Sequence, residues 1–530
     1  MFHFTFHDLL SHNLANRAGK TAVIDGERRI SYEELSHQVD ALATWLVSQG
    51  VRRGDRIGIY LRKSVEEVVA TFAAAHVGAV FVNINVQWRR PQVEYVLNDC
   101  GIKILIMDNR GVKELRNSES LSSLEGIVVK GKAPMDPRFT AWDEALAHTS
   151  GVEYPVINTE LAALLYTSGS TGQPKGVMLS HLNLLEGARS VARYLNNTSS
   201  DRVLSVLPFS FDYGLSQLTT MFLVGGTIVL QPSFMPSEIV KTLVEEEVTG
   251  MPAVPPTWVQ LAYYLQEQDI GFPGLRYLTN TGGKIPDNVL ELLPELFGQP
   301  DIYLMYGLTE AFRSTYLPPD MFHEKRGSIG RAIPNAGIYV VDPDKGICGP
   351  GEQGELLHAG SLVSQGYWGN PESTAEKIRV CPHLSEVLGE QKVVYSGDLV
   401  QVDEDGYLWF VSRLDSMIKC SGFRISPTEV EDIVSASNMV TDVVAFGVED
   451  EELGQVVHVA VTPRDSCDFR LDALKRYCQK QMPSYMQPRS FPVWDEPMPR
   501  TSSGKLDRPL IVTLSTGKSA VSDKPVKIPL

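Results

Sequence analysis

From Ser31 to Gly50 the apolar residues Leu35, Val39, Leu42 and Leu46 recur at helical spacing, so one face of a helix is apolar. Ser31 and Glu34 form a capping-box pair at its start, and Gly50 supplies the stop. Residues 56–61 then read as strand and 65–75 as helix, and the apolar runs 79–84 and 102–107 continue the alternation. The rhythm returns with strands at 227–230 and 302–305 and helices at 237–247 and 287–296, which predicts a second α/β unit.

Between 337 and 410 the texture changes to short strands with turn signals, at 338–341, 355–358 and, after Asp405-Gly406, 407–411. From about Asp415 the pattern is that of a compact α+β module: helix 428–436, strands 443–448 and 456–462, helix 471–481. The polar residues after Leu514 read as a loose tail. The expected fold class is α/β. A large N-terminal domain, residues 1–413, holds two layered α/β subdomains and a β-rich subdomain, and a small α+β C-terminal domain, residues 414–530, follows.

Composition narrows the class. A chain of 530 residues, 43% apolar, can bury several cores. Lys and Arg total 48 against 64 Asp and Glu, and the net charge of −16 argues against nucleic acid or an anionic membrane as a general partner. The longest mostly apolar stretch, 68–82, contains His76 and Gly78 and is too short for a membrane span, and MFHFTFHDLL lacks a cationic n-region. The 6 cysteines form no C-x-x-C pair and read as reduced thiols of a cytoplasmic protein.

The chemistry concentrates in residues 165–176, LYTSGSTGQPKG. The strand-like run 161–166 leads into this loop, and the apolar run 177–179 and a helical segment 181–195 follow it. Gly169, Gly172 and Gly176 let successive N–H groups turn inward as an anion nest. Thr167, Ser168, Ser170 and Thr171 add hydroxyl donors, and Lys175 adds a mobile positive charge. A Walker A loop needs G-x-x-x-x-G-K-[ST], whereas here Pro174 precedes Lys175 and Gly176 follows it. A serine–glycine linker has no need of the embedded Pro-Lys-Gly or of the tight apolar flanks.

This loop resembles the signature segment of the adenylate-forming superfamily, which includes acyl-CoA synthetases, luciferases and the adenylation domains of nonribosomal peptide synthesis. Further stretches resemble that superfamily in order, from about Asp25 to Lys505. In YGLTE, the resemblance assigns adenine stacking to Tyr306, an α-phosphate hydrogen bond to Thr309 and Mg2+ binding to Glu310. Gly282 and Gly283 resemble the segment that runs beside adenine, and Asp398 of YSGD resembles the carboxylate that accepts from both ribose hydroxyls. Residues 412–425, SRLDSMIKCSGFRI, are similar to G-R-x-D-x-x-I-K-x-x-G-x-R-I with Ser412 in place of the first glycine. Arg413 is thereby implied to reach ribose or phosphate, Asp415 to be the hinge of a mobile C-terminal domain, and Ser421, Gly422 and Phe423 to line a thiol tunnel after rotation. In PRTSSGKL, Lys505 stands where the superfamily has its C-terminal catalytic lysine, whose long side chain can bridge carboxylate and phosphate.

The implied reaction makes a mixed anhydride of a carboxylic acid with AMP from ATP and Mg2+, and a thiol then displaces AMP. The acid depends on residues 209–217, FSFDYGLSQ. Amino-acid adenylation domains carry F-D here, the aspartate pairing with the α-ammonium, and an unpaired carboxylate in an apolar pocket would be costly. An aspartate capping the next turn is the alternative for Asp212. FDYGLSQ resembles most the stand-alone enzymes that activate L-proline and load it onto a carrier protein, as in anatoxin-type biosynthesis. Similar strings occur in acyl-CoA ligases linked to exosortase systems.

Tyr213, Ser216, Asn280, Gly282, Met305, Arg313 and Ser314 are expected around the pocket, and they do not match the proline code of large synthetases. The expectation is activation of an amino acid, L-proline first, and transfer to the phosphopantetheine thiol of a separate acyl or peptidyl carrier protein. Coenzyme A is the competing acceptor, with another small carboxylic acid. Among single changes, neutralising Lys505 by Lys505→Ala is expected to slow adenylation most, read as loss of ATP–pyrophosphate exchange.

Overall fold

The structure, a computed structural model, describes residues 3–148, 155–168, 174–283, 285, 287–414, 418–425, 427–437, 439–464, 469–499, 506 and 508–517. Two compact units divide the chain: Met1–Thr167 with Pro174–Asp415, and Ser416–Leu530.

The first unit holds three sheets. In the nine-stranded sheet Thr21–Asp25, Thr227–Leu230, Arg202–Ser205, Gly250–Ala253, Tyr277–Asn280 and Asp301–Tyr306 lie side by side and parallel. Antiparallel strands close its edges, Arg28–Ser31 at one side and Thr315–Leu317 with Arg331–Ala332 at the other. A seven-stranded sheet runs in the order Phe139–Ala141, Gly126–Lys130, Ile102–Asp108, Arg56–Tyr60, Val80–Asn83, Leu161–Ser168, Pro174–Ser180. The third sheet is antiparallel and centred on Gln353–Gly360 and Lys392–Val402.

Burial follows from pairing. The parallel strands Val80–Asn83, Thr227–Leu230, Gly250–Ala253 and Tyr277–Asn280 are buried at every residue, because helices cover both faces. Lys392–Val402 alternates buried and partly exposed positions, as an antiparallel strand with one wet face does. One core spans the two large sheets, and in it Phe6, Phe72, Phe81 and Phe222 sit with ring centroids 4.8–5.0 Å apart.

Local signals explain most element ends. Tyr32–Ser48 carries the expected capping box between Ser31 and Glu34. Val65–His76 and Val80–Asn83 divide the long apolar stretch at Gly78, whose φ of +68° suits glycine. The Asp212–Val224 helix was not expected from the sequence. Its first eleven residues are all buried, so it has no polar face to set a period, and Gly225 ends it at φ 70°.

The second unit, taken by itself, pairs Phe423–Ile425, Ile418–Cys420, Gly454–Pro463 and Val440–Asp450 into an antiparallel sheet. Helices Pro427–Ser435 and Leu471–Gln481 belong to the same unit. A two-residue hairpin joins Cys420 to Phe423, with φ 53° at Ser421 and 80° at Gly422, as a type I′ turn requires. A helix, Arg508–Thr516, anchored by Ile511 in the small core with Val444 and Phe446, carries the chain past Leu514 to Thr516, and the rest of the expected tail, residues 518–530, lies outside the described residues.

Two buried histidines of the first unit make stability depend on pH. His181 Nδ1 accepts from the Phe6 N–H at 2.9 Å, and His358 Nδ1 lies 3.0 Å from Ser314 Oγ. Burial lowers both from 6.5 to about 4. Both stay neutral in the fold yet protonate in the unfolded chain below 6.5, so the unfolded state binds more protons and stability falls with pH. The apparent melting temperature is expected to drop from pH 6.5 to 5, by the equivalent of about 1–2 kcal/mol per histidine. His358→Gln should flatten the dependence measured by thermal melts across that range.

Candidate active site

The strand Pro174–Ser180 leaves the phosphate-type loop and pairs through its backbone with residues 364–368. Met178 N donates to Gly366 O at 2.9 Å, Gln365 N to Met178 O at 2.9 Å, and Trp368 N to Gly176 O at 2.8 Å. Ser364 N donates to Glu310 O at 2.8 Å, so the same segment fixes the YGLTE turn. Four side chains meet along this seam. Lys175 Nζ lies 5.3 Å from the centre of the Tyr367 ring and donates to Ser373 Oγ at 2.9 Å, and Tyr367 Oη donates to Glu310 Oε1. Tyr367 and Ser373 were not read from the sequence, because only pairing across about 190 residues brings them to Lys175.

Tyr306 ends the strand Asp301–Tyr306, at the carboxyl edge of the parallel sheet, where ligand sites of α/β folds form. Its hydroxyl donates to Asp398 Oδ2, and Asp398 is fully buried. Asp398 is held from its own backbone side too, its N–H donating to Ser396 Oγ at 3.0 Å. The backbone of Asp398 pairs with that of Arg413, next to a bulge between Leu399 and Val400. Tyr306, Leu308 and Ala311 pack with Val394 and Val400, which joins the turn to the antiparallel sheet. Gly282 and Gly283 are exposed beyond the strand Tyr277–Asn280, Gly282 at φ +84°.

A small cavity of ≈ 30 Å³ lies beside the Asp212–Val224 helix. Tyr213 and Ser216 line it from that helix, Met305 from the strand before Tyr306, and Arg313 from beyond the turn. The helix approaches residues 207–208 so closely that a Cβ on Gly214 would lie 2.0 Å from Pro208 O. Tyr213 donates to Thr279 O at 2.8 Å, and burial pushes its hydroxyl well above the usual phenol range, so it stays a neutral donor.

Four residues expected around the pocket are not among the cavity's lining. Asn280 Nδ2 donates to Gly283 O at 3.0 Å, Ser314 pairs with His358, Gly282 faces outward, and Asp212 is buried in the first turn of its helix. Asp212 does not cap that helix: Phe211 holds the cap position and makes no side-chain cap bond.

Thr309, 9% exposed, and Glu310 form a short 3-10 turn after Tyr306. A carboxylate in the turn after Tyr306 suits Mg2+, a hard cation that takes oxygen ligands and bridges phosphates. Glu310 is the residue that would hold it, and the ion would neutralise charge on the triphosphate. Thr167 is the next-to-last residue of the strand Leu161–Ser168. Gly169, Ser170, Thr171, Gly172, Asp415 and Lys505 lie outside the described residues, as do the side chains of Ser168 and Arg413.

A parallel-sheet body in which Tyr306 at one strand's carboxyl end holds Asp398 and Tyr367 links Lys175 to Glu310, followed by a small α+β unit, suits a nucleotide-dependent ligase of the adenylate-forming class. The pattern of AMP-binding enzymes matches residues 10–368, and that of the AMP-binding enzyme C-terminal domain matches residues 429–505. The chain belongs to the AMP-binding enzyme family, whose members use ATP and Mg2+. It is 32% identical to a feruloyl-CoA synthase from Amycolatopsis sp over 92% of its own length and 94% of the relative's. It is 29% identical to part of a linear gramicidin synthase from Brevibacillus parabrevis, over 98% of this chain and 6% of that one. The solved o-succinylbenzoate CoA synthetase from Bacillus subtilis superposes with a TM-score of 0.83 at 26% identity, over 95% of this chain and 98% of that chain. The protein is thus an AMP-forming ligase that activates an acyl or amino acid at the expense of ATP. Among the described residues no helix is long and apolar enough to cross a membrane.

Asp398→Ala is expected to raise the KM for ATP by roughly 10–100-fold, the loss of one or two hydrogen bonds to a charged acceptor. Tyr306→Phe, which removes only the donor to Asp398, should raise it less, both read from initial rates of ATP–pyrophosphate exchange.

Proposed function

We propose that this ligase joins a small carboxylic acid to AMP and then passes the acyl group to a thiol. The observation that carries the reading is the seam at residues 364–368, which brings Lys175 and Glu310 together through Tyr367. In the first step a carboxylate oxygen bonds to the α-phosphorus of ATP, the bond to the β-phosphate oxygen breaks, and pyrophosphate leaves. Lys175 and the loop at 167–172 hold the departing phosphates, Thr309 bonds the α-phosphate, and Lys505 bridges the carboxylate and the phosphate. Gly282 and Gly283 flank adenine with Tyr306, Asp398 takes the ribose, and Arg413 reaches the ribose or phosphate. In the second step the small unit turns about Asp415 and a thiolate attacks the acyl carbon, expelling AMP.

Two forms of the reading rest on different observations. L-proline, loaded onto the phosphopantetheine of a separate carrier protein, is supported by Asp212, a buried carboxylate that could pair with an α-ammonium, and by the likeness to gramicidin synthase. A plain acid passed to coenzyme A is supported by the feruloyl-CoA synthase likeness and by the cation in the cavity, Arg313.

Exchange of labelled pyrophosphate into ATP, run with a panel of amino, fatty, aryl and short carboxylic acids, tests the first step. Exchange with at least one acid is expected, and none with any acid would overturn the activation reading. Adding coenzyme A or a phosphopantetheinylated carrier protein to the adenylate then shows which thiol receives the acyl group.

A further inference from the structure

Arg313 is the one charged side chain among the residues lining the cavity, and it is 1% exposed. Its Nε and Nη2 make no hydrogen bond. These two atoms form one edge of the guanidinium, with the spacing that takes both oxygens of a carboxylate. The Tyr213 ring, 4.9 Å from Arg313 Cζ, compensates the charge only in part. A buried guanidinium with unmatched donors is costly in any fold unless an anion completes it. Gln217 and Thr220, on the same helix as Tyr213, bring further unmatched polar atoms to the same space.

The backbone is bent to deliver this side chain. Phe312 sits at φ 57°, ψ −48°, and Arg313 N donates to Ala311 O at 2.6 Å, a γ-turn of the rare positive-φ kind. Phe312 is fully buried, and a Cβ on Gly187 would lie 2.3 Å from its ring, so packing holds the turn in place. Strain of this kind persists at ligand clamps, where the surrounding structure over-determines it.

We propose that Arg313 is a specificity residue that binds a second carboxylate at the far end of the acid, so that the substrate is a dicarboxylic acid. This rests on the activation reading above. The reacting carboxylate lies toward Thr309 and Glu310, which are not part of the cavity's lining, and the distal carboxylate enters the cavity and meets the Nε and Nη2 edge. A neutral side chain such as that of L-proline would leave the guanidinium unmatched.

Succinate, glutarate and adipate, each paired with its monomethyl ester, are compared with L-proline in ATP–pyrophosphate exchange on the full chain. The unmodified enzyme is expected to prefer at least one diacid over its ester by about 10²-fold in kcat/KM, the discrimination of a charge-assisted bidentate contact. In Arg313→Met that ratio should collapse toward unity. Arg313→Lys, which keeps the charge but loses the fork, should recover part of it. Exchange confined to neutral or amino acids would overturn this inference while leaving the activation reading intact. A diacid preference that survives in Arg313→Met would overturn it as well. An equal loss with diacid and ester would place Arg313 on the reacting carboxylate and also overturn it. No exchange with any acid would overturn both readings. If Arg313→Met fails to fold, the comparison within the unmodified enzyme still tests the diacid substrate, and the conservative Arg313→Lys tests the residue.

Discussion

The catalytic edge of this protein depends on a short run of backbone pairing, that of strand Pro174–Ser180 with residues 364–368. Neither partner carries the chemistry alone. The strand brings Lys175 out of the phosphate-type loop, the segment brings Tyr367, and the Ser364 bond to Glu310 O ties in the turn that follows Tyr306. Three regions far apart in sequence thus become one surface. Backbone pairing suits this task, because a one-residue slip would turn each side chain to the opposite face.

The alternation of elements was legible because the outer helices are amphipathic and the parallel strands are uniformly apolar. Tyr32–Ser48 shows both signals, a capping box and a spaced apolar face, and forms as expected. The helix Asp212–Val224 escaped because burial on all sides removes the period that reveals a helix. The C-terminal helix Arg508–Thr516 was not read from the sequence either, because it is a short run in which Ile511 is buried in the core while Leu510 and Leu514 stay exposed. For the site, Lys175, Tyr306, Glu310 and Asp398 were readable as motifs, whereas Tyr367 and Ser373 stand in no motif and enter through the pairing described above.

The motif residues and the cavity residues carry different information. The glycines, hydroxyls, lysine and carboxylate proposed to serve the nucleotide would do so for every acid alike, so they point to the reaction and say nothing of the substrate. The cavity is built from elements whose packing sets its shape: the Asp212–Val224 helix, brought close by Gly214, and the strand ends at Thr279 and Met305. Its tyrosines are already engaged, Tyr213 with Thr279 O and Tyr194 with Met305 Sδ, so they shape the walls and leave few donors over.

What remains open to a ligand is therefore set by charge. A hydrophobic wall discriminates weakly between acids that differ by a methylene, but a buried group left unmatched discriminates strongly. Asp212 and Arg313 pull the substrate assignment in opposite directions, one toward an ammonium and the other toward an anion. Position separates them: Arg313 lines the cavity with two donors unmatched, and Asp212 is buried in the helix without forming part of that lining. The strained turn at Phe312 adds weight on the same side, because strain of this kind clusters at ligand clamps, where the surrounding structure over-determines it.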